Sequence, residues 1–450
     1  MRESPRHEDG IIAPIDTDHK KPEIRVGFVP ALERSAGGVF QYSATMMDAL
    51  MAIAKQDRAI ELVALLSDAG SSARPQLEAA GWRVVSVTPP AGLIRRFARR
   101  VPGAGPARAA WRRLRGRMQT PTAAQPVHGV PAPARRDDLG DWWRGNGIDI
   151  VIFPQPHPWA FEAGVPALAA IHDIQHRLNP EFPEVSADGE WERREYVLGN
   201  CARHSTGVLV ASDVGKEQLL QFYGGRGADA ARVHVLPFLP ASTLPRDVPA
   251  AAAAAARERL GIRGDYVFYP AQFWPHKNHA RIIEALEQLK IRDGIAVTAV
   301  FCGSHADPVR ERHFAMLMAM AAACGVADQV RILGFVSDEE LSALYTGARA
   351  LVMPTFFGPT NIPLLEAWAL GCPVITSDIP GVREQMGDAA LLVDPRSADE
   401  IAAAIRRVWT DPSLRMSLVR RGTERLTLYG PADFRERLLA ALDSALAVVR

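Results

Sequence analysis

The order of apolar runs and amphipathic segments predicts an α/β protein made of two doubly wound domains. Three observations carry this. Short continuous apolar runs, among them Asp149–Phe153, Tyr266–Pro270 and Ala350–Met353, read as strands buried on both faces. Segments with apolar residues at three- and four-residue spacing stand between them and read as helices packed on a sheet. The alternation pauses in a linker from Pro240 through Ala256 and then begins again, which predicts two domains rather than one.

In chain order, Ile24–Val29 is the first strand, followed by a loop with Gly37-Gly38 and a helix expected to bury Phe40, Ala44, Met47, Leu50 and Met51. Strands near Leu62–Leu66 and Val84–Val87 flank a short helical pattern that ends near Gly81. Order resumes at Asp149–Phe153, and Pro166–Ile171 is an apolar run ending in His172-Asp173. Glu190–His204 reads as a helix, Gly207–Val210 as a strand, and Ser212 as the N-cap of the next helix. Val233–Pro237 closes the first sheet. The second begins at Tyr266–Pro270, followed by a helix that turns Ile282, Ile283, Leu286 and Leu289 inward. Val297–Phe301 and Arg331–Leu333 are further strands, and Ser337 with Glu340 forms a capping box. Ala350–Met353, a short helix between Pro363 and Gly371, Val374–Thr376 and Leu391–Val393 complete the sheet. The expected division is a disordered tail 1–22, a first domain 23–240 with an Arg/Pro-rich insertion 92–138, a linker and helix 241–260, a second domain 261–430, and a helix 431–450 packing back toward the first domain.

With 52 basic against 51 acidic residues, the chain has no overall bias toward nucleic acid. Nothing approaches the roughly 20 apolar residues of a bilayer span, and Met1–Lys21 lacks the apolar core of a signal peptide, which predicts a cytoplasmic protein. Cys201, Cys302, Cys324 and Cys372 are far apart without metal-ligand spacing and read as reduced core thiols. No strand positions Asp16-Thr17-Asp18, which reads as solvated charge rather than a metal site. The stretch Arg95–Arg117 carries nine arginines and no acid, interleaved with Phe97, Trp111 and Leu114. It suits a peripheral segment on an anionic membrane surface; the alternative is a solvated insertion.

The chemistry concentrates where strands end. In Met353–Asp378, a Gly/Pro loop leads from a strand into a short helix with Pro363 at its start. Asn361 and Ile362 there offer backbone amides and a partial positive charge to a phosphate, and Glu366 can accept bonds from two adjacent hydroxyls, such as those of a ribose. Lys277, at another strand-to-helix turn, brings a full charge to a diphosphate or is simply solvated. Gly37 and Gly38 let a phosphate approach the backbone or only serve a tight turn. His172 lies beyond the carboxyl end of a strand, where ligands bind in open α/β sheets, although an isolated histidine is more often structural.

Pro363, Leu365, Glu366, Ala367, Gly371, Pro373, Val374 and Ile375, together with Lys277-Asn278-His279, resemble the donor-site signature of the family 4 retaining glycosyltransferases. The resemblance covers nearly everything from Ile24 onward except the Arg-rich insertion. It implies the GT-B fold, two Rossmann-like domains facing an interdomain cleft. It also implies transfer of a hexose from a nucleoside diphosphate sugar, UDP- or GDP-linked, to a glycan or lipid-linked acceptor in polysaccharide biosynthesis. In that frame Lys277 and the amides at Asn361 and Ile362 hold the diphosphate, Glu366 holds the ribose, His172 faces the donor sugar, and the turn at Val336 holds the base through its backbone. No metal or other cofactor is implied if Lys277 and the amides carry the phosphate charge. The chain departs from the family at two places: Gly358 stands where the signature has its first Glu, and Gln272 where it has an Arg. These departures keep open a catalytically silent GT-B protein that binds a nucleotide or a partner.

Overall fold

A computed structural model describes residues 24–34, 37–56, 60–67, 71–87, 130 and 132–448. The expectations for the tail 1–22, for Asp16–Asp18 and for Arg95–Arg117 lie outside the described residues.

Thirteen strands form two sheets among the described residues. The first contains β1 (Ile24–Phe28), β2 (Ile60–Leu66), β3 (Arg83–Ser86), β4 (Ile150–Phe153), β5 (Ala167–Ala170), β6 (Gly207–Val210) and β7 (Val233–Val235), in the order β3-β2-β1-β4-β5-β6-β7. The second contains β8 (Tyr266–Pro270), β9 (Thr298–Cys302), β10 (Val330–Ile332), β11 (Ala350–Met353), β12 (Val374–Ser377) and β13 (Leu391–Val393), in the order β10-β9-β8-β11-β12-β13. Every pairing is parallel. Strand order therefore reverses between β1 and β4 and again between β8 and β11, and at each reversal the outgoing loops part to leave a crevice.

The parallel arrangement explains why the strands read as unbroken apolar runs. In β4, Ile150 and Ile152 face one core while Val151 and Phe153 face another on the opposite side of the sheet. Both faces must be covered, and helices cover them.

One expectation is corrected here. In the helix Gly38–Ala54, the fully buried apolar residues are Tyr42, Met46, Ala49, Leu50 and Ile53, while Phe40, Ala44, Met47 and Met51 are only partly buried. The reason is a second neighbour. Helix Pro431–Ala447 lies beside it and sends Phe434, Leu438, Leu442 and Leu446 into the first domain's core, with Phe434 edge-on to Tyr42 at 6.1 Å. A helix packed between a sheet and another helix buries two stripes, and the sequence pattern marks only one of them.

Cys201, Cys302 and Cys372 are buried and Cys324 is partly so; all four are free thiols. No described helix is long and apolar enough to cross a membrane.

Candidate active site

The carboxyl ends of the two sheets face each other across a cleft of about 800 Å³. The loops after β1, β4 and β5 form one wall, and those after β8, β9, β10 and β11 the other. Gly37, Gly38, His172, Gln272, Lys277, Val336, Asn361, Ile362 and Glu366 all line this single cleft, although they are spread over more than three hundred residues of chain. The two walls are close: a methyl group built on Gly38 would lie 3.8 Å from Ile362 Cδ1. Gly37 holds φ +59° and ψ −120°, a conformation that only glycine adopts without strain.

Lys277 ends a short 3₁₀ turn, Pro275–Lys277, and Asn278 after it is left-handed at φ +62°. The Asn278 side-chain amide donates to the Pro354 carbonyl at 2.8 Å and the Pro395 carbonyl at 2.7 Å, which ties the Lys277 turn to the loops after β11 and β13. The sequence reading gave Asn278 no such role. Burial pushes the Lys277 ammonium down to about 8, while Asp173 and Glu184 pull it up. It remains a cation at neutral pH, but its charge is poorly solvated and is suited to an incoming anion.

Glu366 sits in the helix Ile362–Ala369 with 2% of its surface exposed, and its Oε2 accepts from the Tyr345 hydroxyl at 2.8 Å. Burial pushes its carboxyl up to about 7, against the opposing pull of Tyr345 and Gln41. The expectation for Asn361 is corrected: its N–H donates to Gln385 Oε1 at 3.0 Å, and Gln385 Nε2 donates back to its carbonyl at 3.0 Å. Asn361 provides no side-chain cap, so the donors left at the helix start are the N–H groups of Ile362 and Leu364, Pro363 having none.

On the opposite wall, His172 Nε2–H donates to the Pro154 carbonyl at 2.7 Å, leaving Nδ1 with the lone pair. Burial lowers its pKa, so the ring is neutral at pH 7 and able to accept a hydroxyl hydrogen. Gln272 turns its oxygen to the Trp274 indole N–H at 2.8 Å, and Val336 follows the exposed Phe335 at the rim. Sequence reasoning missed the side chains that hold this frame from a distance. Asp173 pairs with Arg194 at 2.9 Å, and Arg34 crosses the cleft to Asp338 at 3.1 Å. Their partners are remote in sequence, and no spacing signals them.

Gly358 has φ +116°, and a Cβ there would meet Asn361 Oδ1 at 2.9 Å. The absent acid is thus built into the loop's backbone. Gly358→Glu is expected to lower stability by about 1 kcal/mol or more and to bring no gain in turnover. Thermal melting and an assay of that variant check both.

Residues 254–425 match the family Glycosyl transferases group 1. The chain is 27% identical over 263 residues to O-antigen chain mannosyltransferase B of Escherichia coli, covering 57% of this chain and 64% of that protein. It is 33% identical over 205 residues to the D-inositol 3-phosphate glycosyltransferase of Salinispora arenicola, covering 42% of this chain and 45% of that one. It therefore spans less than two thirds of the length of these curated relatives. Among solved structures, Anabaena Alr3699/HepE in complex with UDP-glucose is similar with a TM-score of 0.65 and 18% identity, over 94% of this chain and 100% of the other. WaaG, a glycosyltransferase involved in lipopolysaccharide biosynthesis, follows at 0.60 and 16%, over 93% and 98%. The chain thus has the GT-B fold, two Rossmann-like domains about a cleft, and its residues 254–425 are similar to the glycosyl transferases group 1.

Proposed function

We propose that the protein is a retaining glycosyltransferase, moving a hexose from a UDP- or GDP-sugar to a glycan or lipid-linked acceptor in polysaccharide biosynthesis. The observation that carries this reading is the convergence of Lys277, the Ile362 helix start and Glu366 on one wall of a cleft whose other wall bears His172. A transferase of this kind must stabilise a departing diphosphate. Lys277 and the helix-terminal amides bring positive charge to where that negative charge develops. Glu366 holds the ribose hydroxyls. His172, kept neutral by burial, accepts a bond from the sugar as its anomeric carbon becomes cationic. The acceptor hydroxyl approaches on the face that the diphosphate leaves, and a diphosphate oxygen takes its proton, which preserves the anomeric configuration. Lys277 and the amides carry the phosphate charge here without a metal ion. The names of the relatives agree with the donor class: one is a GDP-mannose-dependent mannosyltransferase of Mycobacterium tuberculosis, and Alr3699/HepE was solved with UDP-glucose.

The test is thermal stability of the wild type and Glu366→Ala with UDP, GDP, ADP and CMP at about 1 mM. A ligand at 100 times its Kd stabilises the fold by about 2.7 kcal/mol, a shift of several degrees. One nucleotide is expected to stabilise the wild type and to lose most of its effect in the variant. Stabilisation by none of the four overturns the reading. Stabilisation without turnover of any donor sugar assigns the chain to the silent, nucleotide-binding alternative.

A further inference from the structure

A largely buried contact joins the two domains beside the cleft. The short helix Pro183–Ser186 of the first domain brings Glu184 against the turn that carries Lys277 in the second. A single carboxylate oxygen, Glu184 Oε1, accepts both the His276 backbone N–H at 2.9 Å and the His276 Nδ1–H at 2.6 Å. The side chains are 6% and 11% exposed, and Glu184 Oε2 is buried with no partner among the described residues. The His276 ring lies flat on Phe357 at 3.8 Å between centroids, and Phe182 from the first domain packs on Phe356 and Phe357 at 5.2 and 5.5 Å.

The geometry over-determines one side chain. Two bonds to one oxygen and a stacked ring fix both the orientation and the tautomer of His276, which leaves Nε2 with the lone pair. Burial keeps the imidazole neutral. His276 lines the cleft next to Lys277 and beside a loop where Gly358 offers no side chain. Beside Gly358, where no carboxylate stands, the neighbouring side-chain acceptor that lines the cleft is the His276 imidazole. We propose that Glu184 is a positioning residue supplied to the donor site by the opposite domain, holding His276 so that Nε2 accepts a hydrogen bond from a hydroxyl of the transferred hexose. The inference rests on the nucleotide-sugar reading and deepens it: the sugar-holding part of the site is complete only when both domains contribute, whereas Lys277 and Glu366 hold the nucleoside diphosphate from the second domain alone.

The experiment is calorimetric titration of the full chain at pH 6.5 with a nucleoside diphosphate and with its hexose derivative, the base being the one that raises the melting point. The pH is chosen because Glu184 also helps to keep Lys277 charged, and below about 8 that ammonium persists. In Glu184→Ala the affinity for the nucleoside diphosphate is expected to stay within about twofold of wild type, and the extra affinity conferred by the hexose to fall by about five- to tenfold. Glu184→Gln, whose side-chain oxygen can accept both bonds, is expected to restore it. An unchanged hexose increment in Glu184→Ala overturns the proposal, as does an equal loss for both ligands, which would mark a merely structural contact. If Glu184→Ala does not fold, His276→Asn takes its place with the same expected loss, and an unchanged increment there is equally fatal. A wild type that binds no nucleotide sinks the functional reading itself; a wild type that binds, with variants that behave like it, sinks only the role of Glu184.

Discussion

Replacing Lys277 with alanine is expected to lower kcat/KM for sugar transfer by roughly two to three orders of magnitude, the usual cost of removing one preorganised stabilising donor. The expectation rests on the environment of the ammonium. Lys277 is only partly exposed, and burial has already pushed its pKa from 10.5 down to about 8. A charge so poorly solvated responds strongly to a diphosphate and has little to lose by contacting it. The same shift makes binding depend on pH. Below about 8 the side chain is an ammonium and its contribution to the affinity for a nucleoside diphosphate is level; as pH rises through 8 the neutral amine predominates in the free protein and affinity falls by up to tenfold per unit. Lys277→Arg keeps its charge at every accessible pH, so its affinity curve is expected to be flat across that interval, even if the planar guanidinium fits the site less well. Calorimetry at pH 7 and 9 on the three proteins decides the matter. Equal pH dependence in wild type and Lys277→Arg would remove Lys277 from the diphosphate site.

Glu366→Gln is expected to make the free protein more stable at pH 8 while weakening its grip on a nucleotide. Burial raises the carboxyl from 4.5 to about 7 in the folded state. A raised folded pKa means that the folded state holds the proton more tightly than the unfolded chain. The associated stability is fully present below about 4.5 and is lost as pH rises through 7. At pH 8 the native protein therefore keeps an ionised carboxylate in a place that disfavours it, at a cost of about 3 kcal/mol. The neutral amide of Gln avoids that cost, so the variant's melting point is expected to exceed the wild type's by several degrees at pH 8 and to approach it toward pH 5. Stabilisation by added nucleotide is expected to shrink in the same protein, because an amide oxygen is a weaker acceptor than a carboxylate for two ribose hydroxyls. A variant less stable than wild type at both pH values would mean that Glu366 is ionised in the fold at little cost.

Much of this was legible in the sequence, for a physical reason. A parallel strand buried on both faces needs several apolar residues in a row, so Tyr266–Pro270, Ala350–Met353 and Leu391–Val393 were marked locally and occur as read. Lys277 and Glu366 were legible because each lies in one strand-loop-helix unit, where the position within the unit already says that the side chain stands at the carboxyl edge of a sheet. What stayed hidden depends on packing between units. The Asn361 amide is taken by Gln385, 24 residues on. Glu184 meets His276 across 92 residues, and Arg34 meets Asp338 across 304. Such pairs have no periodicity, and a single sequence records only that the partners exist. The buried face of Gly38–Ala54 was misread for the same reason, since its second neighbour lies nearly four hundred residues further along the chain.

That neighbour also affects how the protein is made. Phe434, Leu438 and Leu442 close the same core as Phe28, Ile150 and Ile152. A ribosome releases β1 to β7 long before it releases Pro431–Ala447, so the first domain waits for a segment synthesised some two hundred residues later. Until then that part of its apolar sheet face is open to water, to chaperones and to other nascent chains. The second domain, whose core is contained within residues 241–418, can finish first.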